Sequence, residues 1–207
     1  MTFTIIISRK EVDYIPNISA HMIVAKEVAK RLNINSDEFI KGNLLPDIID
    51  IEDSHHKVQN GVYMVPDIEY FLQNLDFSKD LNIGYLTHLL LDKHYLSDYL
   101  GSLYPNTNIF LDGIIYKDYD YLNSLLVNRY GLDIDKLENI LSQYDCKILE
   151  EKLKYNIECL KQKKAGKTKY LIFESFASFL LEISDTISKE LLDYANKSSK
   201  LYIRIRQ

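Results

Sequence analysis

The chain carries five histidines, His21, His55, His56, His88 and His94, and all of them fall in its first half. Any imidazole chemistry therefore belongs to residues 21–94. The firmest local pattern is "HLLLD", in which His88 and Asp92 stand four residues apart. On a helix such a pair lies one above the other and can grip one cation. Imidazole nitrogen and carboxylate oxygen both suit zinc, at roughly 2.0–2.2 Å. Taken alone, the pair reads rather as a carboxylate orienting or neutralising a core histidine than as a metal site. His21 is followed by Val24, Ala25, Val28 and Leu32, so it starts an apolar helical stripe, where a polar group is costly unless satisfied. Asp47 follows Pro46 in "KGNLLPDI", which reads as a turn; alone, such an aspartate is a cap or turn residue. His55 and His56 sit in "SHHKV", by default an exposed loop. Together these positions supply the ligand count of a binuclear metal site. A metal explains the set better than any member singly. Neighbouring side chains point in different directions, so one of His55 and His56 is expected to serve, not both. His94 reads as a half-exposed helix residue paired with Asp98 at i+4.

Two helices must position these groups. The first is expected from Ser19, as N-cap, to about Leu32. The second spans roughly residues 80–100, with Leu81, Gly84, Tyr85, His88, Leu91, Asp92, Tyr95 and Tyr99 on one broad face. Between them lie the turn with Asp47 and a loop with the paired histidines. Residues 132–165 and 167–207 each lack proline and internal glycine and carry apolar residues at helical spacing, among them Leu137, Ile140 and Leu141, then Phe176, Phe179, Leu180 and Ile183. Alternating strand patterns are almost absent, apart from a short strand or extended tail at residues 3–7. The expectation is an all-α, single-domain multi-helix bundle covering residues 1–207, with the metal-site half at about 19–118 and a helical half at 119–207.

The bulk numbers narrow the function classes. A chain of 207 residues with 46% hydrophobic and 27% charged content suits one globular domain. The net charge of -5 argues against a nucleic-acid partner. Cys146 and Cys159 lack metal-motif spacing and read as free thiols of a reducing compartment. No apolar run approaches the roughly 18 residues of a membrane span, and "TFTIIIS" is too short for a signal core. A cytoplasmic protein is expected. "GKT" at 166–168 is no phosphate-binding loop, because Lys161 stands where that motif needs glycine. The sixteen tyrosines could offer contact surface, but at helical spacing they read as core or boundary residues.

The ordered series "SAHMIVAKEVAKRL", "FIKGNLLPDI", "SHHKV" and "NIGYLTHLLLDKHYLSDYL" resembles the zinc-dependent phospholipase C family, and more closely its intracellular bacterial relatives, of the phospholipase C/P1 nuclease type. The likeness covers about residues 19–100, with "IYKDYDYLN" a further matching segment. It implies that Asp47, His88 and Asp92 hold one Zn2+ with one of the paired histidines, and that His21 binds a second ion bridged by Asp92. The family's loop histidine is followed by an aromatic residue, which favours His55 as ligand with His56 in the aromatic's place. The implied activity is hydrolysis of a small phosphoester by metal-activated water, with Asp47 and Asp92 as the catalytic carboxylates. The chain departs from the family in having no tryptophan, where the phospholipases use one as a ligand. It also lacks their later histidines and glutamate, leaving His94, Asp98 and Asp118 as the only substitutes, which argues against a third ion. Two rivals are an HD-type phosphohydrolase, although no adjacent His-Asp pair exists here, and a non-catalytic helical protein with a structural or vestigial metal site.

Overall fold

In a computed structural model, the described residues are 17–48, 54–74, 76, 78–142, 154, 157–158, 160–162 and 166–197. The expected strand at 3–7 and both cysteines lie outside them.

The first helix, α1, runs Ile18–Leu32. Its cap is Asn17, not Ser19: Asn17 has extended backbone, and its side-chain oxygen accepts the Ala20 N–H at 3.1 Å. Ser19 lies inside the first turn, buried, and donates to Asn123 Oδ1 at 2.8 Å. Asn17 Nδ2 donates to the same oxygen at 2.9 Å, so the start of α1 is tied to the helix carrying Asn123. The next helix, α2, is Asp37–Ile48, with Asp37 and Glu38 in its first turn, where acidic groups favour the helix dipole. It absorbs the expected turn: Pro46 lies within its last turn, costing one backbone hydrogen bond without ending the helix. Asn43 and Asp47 consequently share a face.

A hairpin follows that the sequence pattern does not announce, β1 Lys57–Asn60 and β2 Tyr63–Pro66. The strands are antiparallel, with Lys57 opposite Pro66 and Asn60 opposite Tyr63. Gly61 in its turn has φ +60. All of β1 is exposed, so no buried alternation marks it; Tyr63 and Val65 of β2 reach the core. A short helix α3, Ile68–Asn74, leads to α4, Asp80–His94. The expected single buried face is exceeded, because every residue from Ile83 to Asp92 is buried. The cause is position: α4 packs against α1, α2, α3 and β2. The helical path continues as a π-helical turn, Tyr95–Leu100, and a last α turn, α5, Gly101–Leu103.

Further helices among the described residues are α6 Ile114–Tyr130, α7 Ile134–Ser142 and α8 Phe173–Lys197. Helix α8 begins later than residue 167 because Asp118 captures the non-helical segment ahead of it. That buried carboxylate accepts the backbone N–H groups of Lys169, Tyr170 and Leu171 at 2.6–3.1 Å. Helices α1 and α4 both pack on α8. One large hydrophobic core joins α1, α4, α6 and α8, and a smaller cluster joins Ile18, Leu44, Leu137, Ile157 and Leu160. Among the described residues the chain is mostly helical with one two-stranded sheet, and no helix is long and apolar enough to cross a membrane.

Helices α2 and α4 meet backbone to backbone. A Cβ on Gly84 would lie 2.0 Å from the Phe39 carbonyl oxygen, and one on Gly42 would lie 1.8 Å from that of Leu81. Only paired glycines allow this approach, and it sets the reach between Asp47 on α2 and His88 on α4.

Candidate metal centre

Three helices and one loop converge at the Asp47 end of α2. His21 comes from the first turns of α1, Asp47 from the last turn of α2, His55 from the loop before β1, and His88 and Asp92 from one face of α4. His21 and His88 are fully buried, and their rings stack at 3.7 Å with an interplanar angle of 7°. The site opens toward His55 and Asp47, whose side chains are 13% and 9% exposed.

His55 Nε2 and His88 Nε2 each face one oxygen of Asp47 and one of Asp92. Asp47 Oδ1 lies 3.6 Å from His88 Nε2 and 3.7 Å from His55 Nε2. Asp92 Oδ2 lies 3.4 Å and 3.2 Å from the same two nitrogens, which are 3.2 Å from each other. A tetrahedral ion with bonds of roughly 2.0–2.2 Å holds its ligand atoms about 3.3–3.6 Å apart. The five spacings lie at or near that range. The second oxygens of both carboxylates face the other way: Asp92 Oδ1 is 3.3 Å and Asp47 Oδ2 is 4.0 Å from His21 Nε2. The grouping of His21, His88 and Asp92, and that of Asp47, His55 and His88, each lie close enough to share an ion.

Hydrogen bonding turns the right atoms inward. His88 Nδ1 donates to the Asn43 carbonyl at 2.7 Å, which leaves Nε2 for the site. His55 Nδ1 lies 2.9 Å from the Ser54 hydroxyl, which orients its Nε2 likewise. By contrast, His21 Nδ1 and Nε2 and Asp92 Oδ1 are buried with no hydrogen-bond partner. The 3.3 Å between His21 Nε2 and Asp92 Oδ1 is thus proximity without alignment, as between two ligands of one ion. Buried polar atoms left unpaired are costly, and a cation between them would satisfy His21 Nε2 and Asp92 Oδ1. The donor set of imidazole and carboxylate fits zinc.

The electrostatics of the cluster agree. Burial lowers the pKa of His21, and the neighbouring His88 lowers it further. For His88 burial acts against the charged form, but the Asp92 and Asp47 carboxylates outweigh it and raise the pKa. Burial also opposes ionisation of Asp92, yet His88, His21 and His55 hold that carboxyl well below the ordinary range. Asp92 is therefore a carboxylate at neutral pH, as a ligand must be.

The remaining candidates are placed elsewhere. His56 turns away from the cluster; its ring stacks on Tyr70 at 3.8 Å, and its φ of +32 reflects the reversal between it and His55. His94 lies between two carboxylates, with Nδ1 2.5 Å from Asp98 Oδ2 and Nε2 2.8 Å from Glu190 Oε1. It fastens the start of the π-helical turn to α8. Asp118 is committed to the backbone ahead of α8, so neither it nor Asp98 joins the centre. Sequence inspection misses Asn43, Ser54 and Tyr85. Asn43 contributes through its carbonyl, which no side-chain motif reveals, and both amide atoms of its buried side chain lack partners. Tyr85 donates its hydroxyl to the Ser54 carbonyl, a contact that needs the loop's path to be known.

Comparison of the chain with family models, with curated proteins and with solved structures finds no match in any of the three. The chemistry of the cluster therefore carries the functional reading.

Proposed function

We propose that this chain is a zinc-dependent hydrolase of small phosphoesters, similar in its site to the phospholipase C/P1 nuclease type. Asp47, His55, His88 and Asp92 would hold one ion, and His21 with Asp92 a second. The observation that carries the reading is the convergence of two groups of ligands, Asp47, His55 and His88 and then His21, His88 and Asp92, each close enough to share an ion. A divalent ion supplies Lewis acidity, easing ionisation of water near neutral pH and offsetting phosphoryl charge. Two carboxylates and three neutral imidazoles leave a site loaded with two such ions net positive, which favours an anionic substrate. Among the chain's own groups, Asp47 stands at the open side, so its Oδ2 is the atom able to accept a proton from an attacking water. Asp92, enclosed between His21, His55 and His88, orients those rings and holds its charge without meeting substrate.

The test is a panel of phosphomonoesters and phosphodiesters assayed with the zinc-reconstituted protein and its His88→Ala and Asp92→Ala variants. Turnover of at least one ester by wild type, lost in both variants, is expected. Equal activity in all three would refute the assigned centre. The full burial of His21 and His88 favours one alternative, an ion that serves structure alone. Chelation then unfolds the protein, whereas in a catalytic centre it chiefly abolishes turnover.

A further inference from the structure

We infer that Tyr85 is a positioning residue for the metal centre, acting through the loop that bears His55; this rests on the metal-binding reading above. Tyr85 stands on α4 one turn before His88, so the same rigid helix supplies a ligand and this anchor. Its hydroxyl donates to the Ser54 carbonyl, and the Ser54 hydroxyl in turn lies 2.9 Å from His55 Nδ1. His55 Nε2 then reaches to 3.2 Å from both His88 Nε2 and Asp92 Oδ2. A closed circuit results: α4 to Tyr85, to Ser54, to His55, and back to the α4 ligands.

The circuit answers a physical problem. His55 is the only ligand of the five carried on a loop, and a loop must lose conformational freedom before its side chain can bind. Tyr85 supplies that ordering in advance. Its ring is held by Phe71 of α3 at 5.8 Å, so the hydroxyl is itself fixed. The loop's far side is pinned separately, by the His56 ring on Tyr70 and by the Asp67 N–H donating to the His56 carbonyl at 2.9 Å. Ser54 and His56 are thus each tethered, and His55 between them is aimed. Burial, with the Asp47 carboxylate nearby, raises the Tyr85 pKa, which keeps the hydroxyl a hydrogen-bond donor.

The experiment measures Zn2+ affinity by competition with a chromophoric chelator in wild type, Tyr85→Phe, His55→Ala and the double variant. Tyr85→Phe keeps the ring and removes only the hydroxyl, and is expected to weaken zinc binding about 10-fold, the lower range for loss of an outer-shell partner. In the His55→Ala background the same change is expected to cost nothing further, because its effect travels through His55. Ser54→Ala tests the same circuit from its other link, with the same direction and the same non-additivity. Thermal unfolding of the zinc-free variants confirms that each folds. Wild-type affinity in Tyr85→Phe overturns the inference, and so does an undiminished loss in the His55→Ala background, which would mark general loosening. Wild type that binds no zinc overturns the metal reading itself, a separate result from zinc binding that ignores Tyr85.

Discussion

Gly84→Ala should damage the protein twice, in its stability and in its metal affinity. On an exposed helix, glycine to alanine stabilises by about 1 kcal/mol. At Gly84 the new methyl group meets the Phe39 carbonyl oxygen at 2.0 Å, where ordinary contact begins at 3.4 Å. The obstacle is backbone, which cannot rotate away, so α2 and α4 must part by about 1.4 Å. Overpacking of this kind costs roughly 1–3 kcal/mol and belongs here at the upper end, leaving a net loss of about 2 kcal/mol. For a chain of this length that lowers Tm by about 4–8 °C. The same separation carries Asp47 away from His88. Their 3.6 Å spacing would open toward about 5 Å, too wide for one zinc to bridge, and affinity should fall at least about 10-fold. Thermal unfolding of zinc-free protein and chelator competition measure the two effects. Gly101→Ala is the control, since its Cβ meets only the Leu96 carbonyl, at 3.3 Å. It should change Tm little. Wild-type stability and zinc affinity in Gly84→Ala would refute the backbone-contact argument.

Other expectations follow from the same contacts. His56→Ala, which removes the stack on Tyr70 but no ligand, should weaken zinc binding less than His55→Ala, which weakens it at least about 10-fold, as chelator competition would reveal; the reverse order would reassign the loop ligand. Asp118→Asn replaces an acceptor with an amide that turns N–H groups toward three backbone donors. It should destabilise by about 2–4 kcal/mol in urea unfolding and leave zinc affinity unmoved, and a neutral result would remove Asp118 as the anchor of α8. For His94, burial opposes protonation but Glu190 and Asp98 outweigh it, so its pKa is raised in the folded protein. A raised pKa means that His94 contributes stability below its unfolded value of about 6.5 and loses it as pH rises through the folded value. His94→Gln should therefore lower the urea midpoint more at pH 6 than at pH 9, and an equal loss at both would show that its charge contributes nothing.

Much of the centre was legible because its spacing is helical. His88 and Asp92 declare themselves at i and i+4, and His21 opens a buried stripe, so side-chain periodicity alone sets both on inner faces. Asp47 was visible as a residue, but its element was misread: Pro46 suggests a turn, and only the tertiary contact with α4 explains why the helix runs through it. Gly42 and Gly84 carry that contact, and single glycines in a sequence do not announce which backbone they admit. The hairpin at 57–66 stayed hidden because β1 buries nothing and so shows no alternation. His55 and His56 are equivalent to any periodicity argument. Their separation depends on the positive φ at His56 and on the aromatic neighbour Tyr70, which lie beyond pairwise spacing. The fit of Asp98 and Asp118 as spare carboxylates likewise dissolves once their partners, His94 and the backbone at 169–171, are known.

The most direct test of the central claim is zinc content by elemental analysis, after reconstitution and desalting, in wild type, His88→Ala and Asp92→Ala. The two-ion centre predicts about two zinc ions per chain in wild type and a marked loss in each variant, greatest in Asp92→Ala because that carboxylate faces both ions. Wild type that retains no transition metal, or variants that retain as much as wild type, would contradict it.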